Sequence, residues 1–253
     1  MSRLPMTRRP SPRVFEGLAE AYRARPGYPA ALVQRLLALA PPAARVVDLG
    51  AGTGHLAEPM ARGGARVVAV EPAQAMLAVC AERVQGLAVK LVQAPAESTG
   101  LLAASAELVL LADAAHWVDP EAAGREAFRL LVPGGTAATV GPRPADTPFM
   151  RELERLVREA NPKRRPQGPG RARQWLALAS GGAPVRALEF QHSVELSAAA
   201  LEAVLHSLSF LGPALGPKRM ASLVADAVEL GRRTGGARWE RVLRLAWAQK
   251  RLD

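Results

Sequence analysis

Apolar residues recur at two spacings along this chain, and the switch between them marks its organisation. From Phe15 to Leu39 the spacing is helical: Leu32, Val33, Leu36, Leu37 and Ala40 fall on one face, and Ala40-Pro41-Pro42 ends the run. Beyond it, short apolar runs alternate with amphipathic ones. RVVDLG (45–50), ARVVAVEP (65–72), AVKLVQAP (88–95), the first half of AELVLLADAAHW (106–117) and TAATVG (136–141) predict five strands. HLAEPMARGG (55–64), AQAMLAVCAERV (73–84) and PEAAGREAFRLLVPGG (120–135) predict helices that end in glycine or in a turn. Strands alternating with helices imply a doubly wound, mostly parallel sheet covered on both faces.

After about Pro144 the alternation stops. FMRELERLVREA (149–160) is strongly amphipathic and is followed by a Pro/Gly/Arg-rich loop. VRALEFQHSVEL (185–196) predicts a strand, AAALEAVLHSLSF (198–210) and KRMASLVADAVELG (218–231) two helices. In WERVLRLAWAQKR (239–251), Leu243, Leu245 and Trp247 alternate with Arg244 and Ala246, which predicts a strand antiparallel to the one before it. The expected organisation is a flexible basic tail over 1–14 and one domain over 15–253, with lid elements from 15–40 and about 144–235.

Composition narrows the class. Nearly half of the 253 residues are hydrophobic, which supports a buried core. No apolar run reaches the length of a membrane span, and the N-terminal stretch lacks the apolar segment of a secretory signal. The single Cys80 leaves no internal disulfide or cysteine zinc cluster, so a cytoplasmic setting without metal is the default expectation. The net charge of +10 raises the possibility of a polynucleotide partner, but the basic residues are scattered except in TRRP, KRR (163–165) and GRAR (170–173), which favours a solvated surface.

The candidate chemistry lies in VVDLGAGTGHL (46–56). The first strand ends on Asp48, and Gly50, Gly52 and Gly54 let the backbone turn sharply and approach a ligand. The second strand ends on Glu71, whose carboxylate can accept from both hydroxyls of a ribose, so the ligand is expected to be a nucleoside. A dinucleotide fold needs G-x-G-x-x-G, and the third glycine falls on His55. The spacing found is G-x-G-x-G preceded by an acid, which suits a ligand with no phosphate and a cationic amino-acid tail. Asp48 is expected to accept from loop amides or to orient that ligand's ammonium.

This pattern resembles the class I S-adenosylmethionine-dependent methyltransferases, and the likeness runs in order from 15 to 141. VVDLGAGTGHL is similar to their first motif and VVAVEPAQAML (67–77) to their second. QAPAES (93–98) stands where the family reads the adenine edge, LVLLADAAHWVDP (108–120) resembles the fourth-strand motif, and FRLLVPGG (128–135) the lead into strand five. FEGLAEAYRARPGYP (15–29) and the His116-Trp117 pair are similar to one small-molecule branch. The resemblance implies a seven-stranded Rossmann-like fold with a helical lid and S-adenosyl-L-methionine as cofactor. It implies cofactor contacts from Tyr22, Arg25, Asp48, Gly50, Ala51, Gly52, Thr53, Gly54, Glu71, Pro72, Met76, Ala96, Glu97 and Ala112. Pro95 stands where the family often has Asp, which shifts adenine recognition toward Ala96 and Glu97.

The implied reaction is methyl transfer to a small-molecule acceptor, with His116 as candidate base and Trp117 as a wall. His192 and His206 receive no role. RNA or protein methylation is the alternative that the charge motivates, and a non-catalytic S-adenosylmethionine-binding protein is another. The fourth strand reads ADAAHW and lacks [D/N]-P-P-[Y/F], and Cys80 lies in a helix rather than after a proline, so neither nucleobase mechanism finds its residues. The acceptor and the oligomeric state are not legible.

Overall fold

The computed structural model describes residues 13–163 and 168–251. Residues 1–12 of the expected basic tail, and Arg164 and Arg165 of the KRR run, lie outside the described residues.

The helical N-terminal pattern resolves into α1 (Arg13–Glu16), α2 (Ala19–Arg23) and α3 (Ala30–Leu37); Gly17 and Leu18 form a turn between the first two, and Pro26 and Pro29 stand between the last two. Then follow β1 (Arg45–Leu49), α4 (Ala57–Arg62), β2 (Arg66–Val70), α5 (Gln74–Arg83), β3 (Val89–Val92), β4 (Ala106–Ala112), α6 (Pro120–Leu130) and β5 (Leu131–Pro144). The remainder is α7 (Pro148–Ala160), α8 (Gly170–Ala179), β6 (Arg186–Leu196), α9 (Ala198–Ser207), α10 (Pro217–Arg233) and β7 (Ala237–Gln249). One sheet holds seven strands in the order β3-β2-β1-β4-β5-β7-β6. The first five are parallel, and β7 runs antiparallel to both β5 and β6. The fold class is the one the sequence predicts, and its last strand is a strand.

Alternation along the central strands fills both faces. Leu108 and Leu110 of β4 join Val46 under α3 and α4, where Leu32, Leu36 and Met60 are fully buried. Val109 and Leu111 join Val47 on the other face, under Ala123 and Ala127 of α6 and Trp175 and Leu176 of α8. Burial on both faces is why these strands read as continuous apolar runs.

Strand β5 is longer than TAATVG predicts. Leu131 pairs with Ala106, then the register jumps so that Thr136 pairs with Leu108, leaving Val132 to Gly135 as an irregularity. At its other end β5 outruns β4 and continues to Pro144 against Arg241 of β7.

The region expected as lid divides. Helices α7, α9 and α10 make a separate small core from Phe149, Leu153, Leu201, Leu205, Met220 and Leu223. Helix α8 instead joins the sheet's cover: a Cβ on Gly124 would lie 2.7 Å from the Cβ of Leu178, so the glycine of α6 lets the two helices touch. Strand β6 belongs to the sheet. Within 15–40, α3 belongs to the core, while α1 and α2 pack Leu18 and Ala19 against Met76 and Val79 of α5.

Candidate active site

The carboxyl ends of β1, β2 and β4 converge, and the glycine turn closes over them. Gly50 and Ala51 both donate their amides to the carbonyl of Val70, at 2.8 and 3.0 Å. Gly50 has φ +70°, and a Cβ there would lie 2.8 Å from the Cβ of Ala114, so the β1 turn and the β4 loop meet only because the side chain is absent. Gly52 also has positive φ, +56°, but a Cβ on it would meet nothing within 4 Å. Its vacancy faces open space. That is the side on which a ligand can approach the backbone.

Two carboxylates border that space. Glu71 is buried; its Oε2 accepts from the amide of Gly52 and its Oε1 from the amide of Ala73, both at 3.0 Å. These bonds fix its head beside the turn, and each oxygen retains a lone pair. Burial, against the two amide bonds, leaves its carboxyl above its ordinary range. Asp48 is 2 % exposed, and its Oδ2 has no hydrogen-bond partner. Burial first, and the charge of Glu71 second, push its carboxyl up to about 7. An orphaned buried carboxylate beside an open cradle fits a ligand that presents cationic or hydroxyl donors. S-adenosylmethionine has both.

Thr53 and His55 brace the turn from behind. Arg83 donates Nε to the carbonyl of Thr53 at 2.8 Å and Nη2 to His55 Nε2 at 3.2 Å. His55 Nε2 must then accept, so its Nδ1 carries the proton donated to Thr53 Oγ1 at 2.9 Å. Burial, then Arg83, push His55 down to about 4, which keeps it neutral. Behind Gly54 lies Cys80, whose sulfur would be 2.7 Å from a Cβ.

On the side expected for adenine, Met76 and Ala96 are buried and Pro72 is half-buried. Glu97 turns one oxygen to the amide of Asp119 at 2.7 Å, which ties it to the start of α6. Ala112 closes β4, half-buried.

Asp113 follows with φ +50°, donating its amide to Val140 at 2.8 Å. Arg25 reaches it: the guanidinium lies 3.9 Å from the centre of the Tyr22 ring, and its Nη1 stands 3.5 Å from Asp113 Oδ2. The same guanidinium donates Nε to Ser207 Oγ at 2.8 Å and Nη2 to the Ser207 carbonyl at 3.0 Å. One arginine thus joins the N-terminal segment, the end of β4 and helix α9. His116 packs on Trp117 with ring centres 4.8 Å apart, and Trp117 meets Phe15 edge-on at 4.7 Å. Burial, only partly opposed by Asp113, holds His116 below the usual imidazole range.

The structure therefore brings Tyr22, Arg25, Asp48, the glycine turn, Glu71, Ala112 and His116 to one end of the sheet, with Met76, Pro72, Ala96 and Glu97 flanking. Sequence reasoning missed Asp113, His55, Arg241 and His192. His55 carried a faint signal, since it stands where a dinucleotide turn needs glycine. Arg241 carried none. At the opposite end of the sheet, the hollow lined by Leu37, Ala40, Pro41 and Met60 contains no titratable group. Among the described residues, no group of three or more His, Cys, Asp or Glu could hold a metal ion.

The fold is that of the class I methyltransferases. Solved structures with it include a candidate type II methyltransferase of Anaeromyxobacter dehalogenans, with TM-score 0.62 and 24% identity over 90% of this chain and 98% of that one. Another is phosphoethanolamine N-methyltransferase 2 of Haemonchus contortus in complex with S-adenosyl-L-methionine, with TM-score 0.53 and 16% identity over 94% of this chain and 56% of that one. In sequence, an uncharacterized methyltransferase of Mycobacterium tuberculosis is 39% identical over 153 residues, 59% of this chain. The chain covers 61% of that relative's length. Residues 47–139 match the family model described as a methyltransferase domain. Residues 47–139 thus carry the sequence signature of a methyltransferase domain, set in a fold shared with solved methyltransferase structures.

Proposed function

We propose that the protein transfers a methyl group from S-adenosylmethionine to a small-molecule acceptor. The cofactor would lie along Gly50 to Gly54, with its ribose hydroxyls at Glu71 and its ammonium at Asp48. When bound, it supplies a methyl group already activated by the positive sulfur, so the protein's task is alignment and exclusion of water. Arg25, stacked on Tyr22, can receive a carboxylate through its guanidinium.

The observation that carries the small-molecule reading is the closure made by Arg25. Its bonds to Ser207 and its approach to Asp113 fasten the N-terminal segment and the lid across the mouth of β4. A cleft roofed on both sides admits a compact acceptor rather than a polymer. His116, held neutral by burial, is available to take a proton from a hydroxyl or ammonium nucleophile. Cys80 supports no cysteine-based mechanism: it is buried, and burial first, with Asp48 second, pushes its thiol up to about 12. No helix among the described residues is long and apolar enough to cross a membrane, and a cytoplasmic setting remains part of the proposal.

Calorimetric titration with S-adenosylhomocysteine, with NADH as control, tests the cofactor. Tritium-methyl transfer into fractionated cell extract tests the acceptor. Label in the low-molecular-weight fraction is the expected result. Label only in RNA or protein overturns the small-molecule reading, and cofactor binding with no transfer to any fraction favours a non-catalytic binding protein.

A further inference from the structure

Charge is divided across the cleft. Asp48 and Glu71 lie on the cofactor side, while arginines gather on the side of His116. Arg25 is shared between Ser207 and Asp113. Arg171, at the start of α8, donates Nη2 to the Val118 carbonyl at 2.6 Å and acts electrostatically on His116. Arg241 is the least compensated. It sits on β7 where that strand has passed the end of β4, opposite Pro144 of β5 and His192 of β6.

Its hydrogen bonds hold it in place without neutralising it. Nε donates to His192 Nδ1 at 3.1 Å, and Nη2 donates to the carbonyls of Pro26 and Gly27 at 2.7 and 2.5 Å. The Tyr28 ring lies 6.0 Å from its guanidinium carbon. Among the described residues no carboxylate forms an ion pair with Arg241, and its Nη1 has no partner. Its bonds to Pro26 and Gly27 reach the two residues that follow Arg25, and Asp113 and Arg25 both act on it electrostatically, which places it beside the site. Asp113, drawn toward Arg25, opposes the burial of Arg241 only from a distance, and a guanidinium largely withdrawn from water with no direct ion pair is favoured when an anion joins it. Such a residue on a ligand cleft, with donors to spare, is built to receive one.

We infer that Arg241 anchors an anionic group, a carboxylate or a phosphate, on the methyl acceptor. His192 fixes the plane of the guanidinium, and the carbonyls of Pro26 and Gly27 fix its depth. Arg241 is thus a specificity-determining residue on the acceptor side, and its role rests on the methyltransferase reading above. Neutral acceptors would leave its charge uncompensated, and the cleft would discriminate against them.

The test uses the full chain saturated with S-adenosylhomocysteine, titrated at constant ionic strength with succinate, inorganic phosphate and, as neutral counterpart, succinamide. At least one anion is expected to bind, and succinamide is not. Preference for succinate or for phosphate tells a carboxylate site from a phosphate site. Arg241→Gln should weaken anion binding by about tenfold or more and Arg241→Lys by less, with the S-adenosylhomocysteine Kd unchanged. Anions that bind no better than succinamide, or equally well to Arg241→Gln, overturn the inference. Should Arg241→Gln fail to fold, Arg241→Lys decides: succinate and phosphate affinities equal to those of the wild type overturn the inference. Failure of S-adenosylhomocysteine itself to bind would remove the methyltransferase reading and this inference together; its binding without anion selectivity removes only the latter.

Discussion

The amide of Gly52 donates to Oε2 of Glu71 at 3.0 Å, so the acid that ends β2 is held by the turn that follows β1. The glycine turn and the carboxylate proposed as ribose acceptor are thereby one rigid unit. A ligand binds a preorganised site of this kind without first ordering it.

That unit makes Gly52 the most exacting position. Gly52→Val places a branched side chain at φ +56° and into the open space beside the turn. S-adenosylhomocysteine affinity should fall by about 100-fold or more, equivalent to about 2.7 kcal/mol, while far-UV circular dichroism stays native. Calorimetry that finds unchanged affinity removes the cradle as the cofactor site.

Asp48 sets a conflict between stability and binding. Its folded pKa of about 7 lies above the ordinary 3.8, so from about pH 4 to pH 7 the native state holds a proton that the unfolded chain has released. Its contribution to stability therefore declines as pH rises through that window. Asp48→Asn should remove the decline and raise stability at pH 8 by about 2 kcal/mol, while S-adenosylhomocysteine binding weakens by about tenfold. Urea unfolding at pH 5 and pH 8 checks the first part; a variant that is less stable at both values refutes it.

Burial holds His116 below the ordinary imidazole range, which favours the neutral form a base requires. With the acceptor identified, kcat should rise with pH through a pKa under 6.5. His116→Ala should lower kcat by about 100-fold and abolish that limb, leaving the S-adenosylhomocysteine Kd unchanged. An unaltered kcat assigns the imidazole to packing on Trp117.

Away from the site, Glu126 is expected to govern acid stability. Burial alone would raise its carboxyl, but Arg129 and the amide and hydroxyl of Thr99 outweigh that and hold it at about 2. The folded pKa lies below the ordinary 4.5, so its stabilisation is complete above about pH 4.5 and is lost as pH falls toward 2. Glu126→Gln should cost about 2 kcal/mol at neutral pH and flatten the acid limb of a pH–Tm profile. An unchanged acid limb would show that another carboxylate dominates.

Legibility in the sequence followed the range of the interactions involved. The strand and helix order from β1 to β5 was readable because period and turn chemistry act over a few residues, and the terminal strand because Leu243, Leu245 and Trp247 alternate. The lid was only partly readable. FMRELERLVREA and the helix containing Trp175 are both amphipathic, yet the first packs in the separate core with α9 and α10 and the second on α6, where Gly124 admits Leu178. An apolar stripe shows that a helix is covered, not what covers it.

What the sequence by itself determined was the doubly wound sheet and the part of the candidate site proposed for the cofactor: the acid-glycine turn and Glu71 lie at the ends of consecutive strands, so their meeting follows from local order and the parallel fold. What only the tertiary structure decided was the part proposed for the acceptor. Arg25 meets Ser207 across 182 positions, and Arg241 meets Gly27 across 214. Those meetings depend on β7 returning antiparallel between β5 and β6 and on a register that carries Arg241 past the end of β4, and packing of the whole chain fixes both.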